Sequence, residues 1–349
     1  MALGLAGVGA WPDRVAHPDR AWPADIPADT AADSPGHPLS TYVEQGRGGE
    51  ASAYAPTAVP RSRHVVVLIM DGGRYDHTFG DPEHRYVPHM WNELAPQGVV
   101  LERFYNAGHT ITLSGHATLA TGRRERVLGE AAGRFQGPTI FERSREDLEL
   151  GQEAVWLIFG KTKLGQVFNR SMGAAVYRPS MWAEETDDAT VAARLWQVLE
   201  EARPALTLVN FPSVDRSAHA GDWPGYLNAI SQFDALAAET WRRIQADPEL
   251  AASTTLVVTN DHGRQYDDWT RHGDDSEGSR RIMFLALGPD LKPNASSRLD
   301  RSLTDLEATV ACLMGVAMPS SQGTPMLEIL LGEAREGLAQ RPMCRSPED

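Results

Sequence analysis

Six short runs of branched and apolar side chains constrain this chain more than any other feature. They are HVVVLIM (64–70), VVLERFY (99–105), AVWLIF (154–159), LTLVNF (206–211), TTLVVT (254–259) and RIMFLALG (281–288). Each is short for a helix, and they lack the strict alternation of a strand with one wet face. They read as strands buried on both faces, as in a parallel sheet. Helical spacing lies between and after them, most clearly over 187–202, 226–245 and 302–315. Alternating strand and helix make the class α/β with a mostly parallel central sheet. At 349 residues, 42% hydrophobic and 23% charged, the chain can bury a large core, and global disorder is excluded.

Residues 1–60 are rich in Pro, Ala, Gly and Asp without a sustained period and read as an irregular arm. The folded domain is expected over 61–335, with 336–349 as a tail. No apolar run is long enough for a transmembrane helix. The start, MALGLAGVGAW, is apolar but lacks a basic segment, so it is a poor signal peptide as it stands; a periplasmic or secreted location is favoured slightly over a cytoplasmic one. The formal net charge of −14 argues against a nucleic-acid scaffold and suits a site that holds cations. Cys312 and Cys344 are too few for a disulfide scaffold or a cysteine metal cluster. Cys312, inside LEATVACLMGV, reads as a small buried hydrophobe, and whether the two pair stays open. Any metal must therefore be held by His and carboxylates.

In parallel sheets, sites form beyond the carboxyl ends of the strands. Asp71 follows the first strand, Asp215 and His219 the LTLVNF strand, and Asp261 and His262 the TTLVVT strand; His272 comes ten residues later. A single Asp after a strand is usually a turn former or helix cap. Three carboxylates and three imidazoles at one sheet edge are different, because the carboxylates repel one another unless cations sit between them. Mixed His and Asp ligation suits zinc, with manganese or iron as alternatives. Six ligands are too many for one tetrahedral ion and fit two. Two ions can clamp the entering and leaving oxygens of an in-line displacement, the geometry of phosphate and sulfate ester cleavage. A hydroxyl nucleophile is then needed, and the loop from His109 to His116 offers Thr110, Thr112 and Ser114.

Taken in order, VVVLIMDGGRYD, TLSGHATLATG, DRSAH, TNDHG, HGDD and LTDLEATVACLMGVAMPSSQGTPM resemble the alkaline phosphatase superfamily, nearest its nucleotide pyrophosphatase/phosphodiesterase and related phosphatase branches. The resemblance covers about residues 63–330. It implies a sheet with helices on both faces, two divalent ions, and a small-molecule phosphoester substrate. It further implies that Asp215, His219 and His272 hold one ion and that Asp71, Asp261 and His262 hold the other. Thr112 falls at the nucleophile position, coordinating the second ion and becoming transiently phosphorylated; Ser114 is the fallback, and His109 and His116 are not ligands. One departure is Gly115, where those relatives carry an Asn that contacts the phosphoryl group. Arg74, Lys161, Lys163 and Arg264 are the candidate replacements for that contact. A glycine there is expected to free volume beside the nucleophile, which leans the reading towards phosphodiesters. The alternatives are a phosphomonoesterase, a sulfatase-like or phosphonate hydrolase, a phosphotransferase, or a non-catalytic binder of metal or phosphate. The C/S-x-P-x-R motif of sulfatases is missing at TLSGH, and the 102 residues between Thr112 and Asp215 leave room for a small insertion at most.

Overall fold

Along the first strand, β1 (His64–Met70), successive side chains enter two separate apolar clusters. Val65, Val67 and Ile69 belong to one; Val66, Leu68 and Met70 belong to the other. This is the period-2 alternation of a strand with protein on both faces. The computed structural model describes residues 60–129 and 134–345, all within one compact unit, Ala55–Asp349. Apart from Pro60, the expected N-terminal arm lies outside the described residues.

The remaining strands are β2 (Val99–Leu101), β3 (Phe104–Tyr105), β4 (Val155–Phe159), β5 (Ser180–Ala183), β6 (Leu206–Phe211), β7 (Thr254–Asn260), β8 (Arg281–Ile282), β9 (Phe284–Leu287), β10 (Ala295–Ser297) and β11 (Arg301–Ser302). Eight form one sheet in the order β10-β2-β9-β7-β1-β6-β4-β5, and β11-β3-β8 form a small second one. Strands β7, β1, β6, β4 and β5 run parallel, whereas β9 is antiparallel to both its neighbours.

Two of the six expected runs divide between the sheets. VVLERFY breaks at Glu102 and Arg103, where exposed Arg103 pairs with Asp300. RIMFLALG breaks at Met283, whose N–H donates to the Asn260 side chain at 3.2 Å and whose carbonyl accepts from Thr259 at 2.8 Å.

One face of the sheet is covered by helices α1 (Thr112–Thr121), α2 (Ile140–Asp147), α3 (Thr162–Ser171) and α9 (Leu303–Met314). The other carries α4 (Asp188–Glu201), α5 (Ser213–His219), α6 (Trp223–Ala246) and α7 (Pro248–Ser253). Helix α8 (Glu277–Arg280) leads into β8. The layers are therefore helix, sheet, helix, as in the alkaline phosphatase fold. The boundary placed at 335 falls inside α10 (Gly332–Ala339): Leu338 is buried and Cys344 is bonded to Cys312, so this segment packs with the core rather than trailing from it. The buried-hydrophobe reading of Cys312 is corrected in the same way, since it is buried within a disulfide.

Candidate active site

Every candidate carboxylate stands at the carboxyl edge of the central parallel strands. Asp71 ends β1, Asp215 lies in the first turn of α5 after β6, and Asp261 and His262 follow β7 directly. Lys161 comes two residues after β4. All five are buried, with Asp71, Asp261 and His262 at 0% exposure. The sheet order places β7, β1, β6 and β4 side by side, so these loop residues converge.

Two clusters of candidate ligands result. In the first, His219 Nε2 is 3.2 Å from Asp215 Oδ1, His272 Nε2 is 3.6 Å from the same oxygen, and the two Nε2 atoms are 3.0 Å apart. In the second, Asp71, Asp261 and His262 offer atoms within 4.8 Å of one another. His262 also reaches the first set, grouping with Asp215 and His272 within the same limit, so it stands between the two.

The donor chemistry fits divalent ions. His272 Nδ1 is 2.9 Å from the Thr110 carbonyl and His262 Nδ1 is 3.0 Å from the Gly263 carbonyl. A carbonyl only accepts, so both Nδ1 atoms carry the proton and both Nε2 atoms keep a lone pair. Asp261 Oδ1 accepts from the Gly72 and His262 amides at 3.1 and 2.9 Å, whereas its buried Oδ2 has no hydrogen-bond partner. Converging lone pairs and an unpartnered buried carboxylate oxygen are what a coordinated cation satisfies.

Electrostatics follow from this crowding. Burial raises Asp71, but Lys161, His262 and His116 around it together more than offset this and hold the carboxyl at about 2. Burial works the same way on Asp215 and is again overcome, chiefly by Lys161, to leave it well below the ordinary value. Burial and the charge of Asp71 push Asp261 up to about 6. Burial and neighbouring His272 push His262 down, which keeps the imidazole neutral.

Thr112 opens α1, and its hydroxyl lies 3.3 Å from Asp71 Oδ1 and 3.4 Å from His262 Nε2. Ser114 points elsewhere, accepting from the Val127 amide at 2.9 Å. His109 is exposed. His116 is buried, with Nδ1 2.9 Å from the Thr112 carbonyl and 3.3 Å from Asp261 Oδ2, so it braces the start of α1.

The four substrate-binding candidates separate. Lys161 Nζ sits 2.8 Å from Asp71 Oδ2 and 2.5 Å from Asp215 Oδ2, joining the two ligand sets. Lys163 lines a cleft of about 210 Å³ that also touches Thr112, Leu113, Leu128 and His272. Arg74 is engaged by Asp76 at 2.9 Å and by the ring of Tyr266, and none of its contacts is to the carboxylate cluster. Gly115 gives no volume to a substrate: a Cβ there would stand 2.6 Å from the Asp261 carbonyl oxygen. It is glycine because α1 packs against the end of β7, so the volume expected beside the nucleophile candidate is not there.

Two further residues shape the site. Asn210 donates to Asp71 Oδ2 at 2.9 Å; a polar residue inside an otherwise apolar strand run was the signal for it. Arg264, fully buried, binds the carbonyls of Gly72, Asp215 and Thr270 at 3.0, 3.2 and 3.1 Å and the carboxylate of Asp215. It is a brace between three ligand-bearing loops rather than a free phosphate clamp.

The model of type I phosphodiesterase / nucleotide pyrophosphatase matches residues 65–266, which take in Asp71, Thr112, Asp215 and Asp261. The chain belongs to that family. It lies within the alkaline phosphatase superfamily. Among curated proteins, a phosphopentomutase of Methylobacterium nodulans is 34% identical over 167 residues, 47% of this chain and 37% of that protein. A 2,3-bisphosphoglycerate-independent phosphoglycerate mutase of Haloarcula marismortui is 27% identical over 156 residues, 43% of this chain and 28% of that protein. The chain thus spans well under half the length of the curated relatives it matches. Murine ectonucleotide pyrophosphatase / phosphodiesterase 5 superposes with a TM-score of 0.59 at 14% identity, covering 77% of this chain and 100% of that one. A phosphonate monoester hydrolase of Agrobacterium radiobacter gives 0.59 at 13% identity, covering 77% of each. At such identities these two likenesses concern the fold. Among the described residues, no helix is long and apolar enough to cross a membrane.

Proposed function

We propose that this chain is a two-metal hydrolase of phosphoric esters that works through a phosphothreonine at Thr112. The observation that carries the reading is the Thr112 hydroxyl placed against Asp71 and His262, beside two sets of His and carboxylate ligands. Asp215, His219 and His272 are the ligands of one ion; Asp71, Asp261, His262 and Thr112 are those of the other. Zinc suits this donor set best, with manganese or iron as alternatives. When bound, the ions supply positive charge that lowers the hydroxyl pKa and stabilises the phosphoryl oxygens.

The chain's own residues do the rest. Thr112 Oγ1 gives up its proton to solvent and forms a bond to phosphorus, and the ester oxygen departs with the electron pair of the broken P–O bond and takes up a proton from solvent. A water then cleaves the phosphothreonine, returning the hydroxyl and releasing phosphate or its remaining ester. His116 fixes the backbone of Thr112, and Lys161 supplies positive charge next to both Asp71 and Asp215. A structure of the murine phosphodiesterase 5 with a threonine replaced by alanine is described as inactive and in complex with AMP, which supports a threonine in this role.

The test is Thr112→Ala. Turnover of aryl phosphoesters by the zinc-loaded protein is expected to fall at least about a thousandfold, with metal content near two ions per chain. If Ser114→Ala is the inactive variant and Thr112→Ala retains turnover, the nucleophile assignment is wrong.

A further inference from the structure

We propose that Trp223 and Trp269 form an aromatic shelf that binds the departing group of the ester, a flat aryl group carrying no negative charge, and that Trp223 sets this preference. The proposal rests on the hydrolase reading above. In an in-line displacement the entering and departing oxygens lie on opposite sides of phosphorus. The entering oxygen is Thr112 Oγ1, which stands against Asp71 and His262. The departing oxygen therefore lies on the side of the other candidate ligands, Asp215, His219 and His272. Two of these three are flanked by tryptophan. Trp223 follows His219 by four residues, across the short turn that joins α5 to α6, and Trp269 precedes His272 by three.

Both tryptophans are held in place by their backbones. The Asp222 amide donates to the Ser217 carbonyl at 3.0 Å, and the Asp222 carboxylate accepts from the Gly225 amide at 3.0 Å. The loop of Trp269 is closed by the Gln265 amide on the Arg271 carbonyl at 3.0 Å. The Trp269 carbonyl accepts from Arg264 at 3.4 Å, and the same guanidinium binds Asp215. The rings then support one another. Trp223 stacks on Tyr226, with centroids 5.5 Å apart and planes at 22°. Trp269 and His77 meet Trp223 edge to face, at 4.9 and 5.1 Å. Tyr226 is fully buried, and its hydroxyl accepts from the Arg74 amide at 3.1 Å, which ties the shelf to the loop after Asp71. Trp223 nevertheless keeps 36% exposure, the highest of any tryptophan among the described residues. A fixed indole with open surface offers stacking area at little ordering cost. The charge around it selects further. Asp222 and Asp267 are exposed beside the two tryptophans, Asp268 is paired with Arg271 at 3.8 Å, and Arg264 is committed to Asp215. The rim is thus net negative and repels an anionic departing group.

The experiment compares phenyl, 2-naphthyl and 6-sulfo-2-naphthyl phosphate as substrates of the zinc-loaded full chain. It also measures by calorimetry the binding of benzylphosphonate and 2-naphthylmethylphosphonate, which carry the same rings on a bond that is not an ester. The wild type is expected to favour the naphthyl over the phenyl ester about tenfold in kcat/KM, and to bind the naphthyl phosphonate about tenfold tighter. The sulfonate is expected to remove most of that gain. Trp223→Leu, apolar but without a ring, is expected to cut both ratios to about twofold, with zinc content and inhibition by inorganic phosphate near wild type. Unchanged ratios overturn the role of Trp223. Should that variant not fold, Trp223→Phe decides: its smaller ring is expected to lower both ratios by about half, and unchanged ratios again overturn the assignment. A wild type that treats the two rings alike, or gains from the sulfonate, overturns the shelf itself. A protein that binds the naphthyl phosphonate tighter yet hydrolyses none of the esters supports the shelf and defeats the hydrolase reading alone.

Discussion

Glu307 makes a prediction that does not depend on the reaction. It lies on α9 at 1% exposure, with Oε2 accepting from Ser321 at 2.6 Å and Oε1 without a hydrogen-bond partner. Its surroundings are apolar: Val67, Leu119, Ile140 and Phe141 line a cavity of about 20 Å³ beside it. Burial pushes its carboxyl from 4.5 to about 8, opposed only by the Ser321 hydrogen bond. The folded state therefore keeps the proton over a pH range in which the unfolded state has lost it. Below about 4.5 both states are protonated and the contribution is fully present; as pH rises towards about 8 it is lost. At about 1.36 kcal/mol per pH unit, the ceiling is about 5 kcal/mol, and relaxation or water entry reduces it.

Glu307→Gln keeps the shape and is neutral at every pH. Urea unfolding of both proteins between pH 5 and 9 isolates the effect, because all other titrating groups cancel in the difference. The variant is expected to gain steadily on the wild type up to about pH 8 and then level off, by about 2 kcal/mol or more. Parallel stability curves from pH 5 to 9 would refute a buried neutral acid. The candidate site has a stake in the result, since a Cβ at Gly122, the left-handed residue that ends α1, the helix opened by Thr112, would stand 2.1 Å from Glu307 Oε2.

Three other outcomes are expected. His219→Ala should lower zinc stoichiometry from two ions towards one, measured by elemental analysis; retention of two ions with full activity removes His219 from the site. Gly115→Ala places a Cβ 2.6 Å from the Asp261 carbonyl oxygen. Displacing α1 against β7 should lower kcat about a hundredfold, and a crystal structure with Thr112 and Asp261 unmoved would contradict the cause. Reduction of Cys312–Cys344, which closes a segment 32 residues apart in sequence, should cost about 3 to 4 kcal/mol in urea unfolding, and no change in midpoint would show that the bond adds nothing.

The central fold was legible because buried parallel strands advertise themselves. HVVVLIM and LTLVNF map onto β1 and β6 without adjustment, and the helical pattern over 187–202 falls on α4 within a residue at each end. What escaped were pieces whose role is set by partners distant in sequence. Strand β5, SMWA, is partly exposed at the sheet edge and has no apolar run to signal it. The reversal at β9 depends on Met283 bonding to Thr259 and Asn260, more than twenty residues away. Periodicity carries no record of such contacts.

The carboxylates and imidazoles of the cluster were legible in the sequence and its counter-charges were opaque, for a physical reason. Carboxylates and imidazoles stood out by falling directly after strands, where the sheet brings them together whatever the loops do. A lysine or arginine after a strand signals nothing by itself, since most such cations are solvated. Arg74, Lys161 and Arg264 read alike in the sequence, yet only the last two are buried against Asp215. Gly115 misled in the opposite direction. It suggested room for a second ester group, but the missing side chain is filled by the backbone of Asp261. A cavity cannot be inferred from a glycine without the neighbour that packs on it. A cation's role likewise follows from the carboxylate oxygens it occupies. Lys161 takes one oxygen from each of two carboxylates and leaves the other two turned towards Thr112 and the imidazoles. The charge left at this cluster is therefore a property of the side-chain arrangement rather than of the carboxylate and imidazole motif alone.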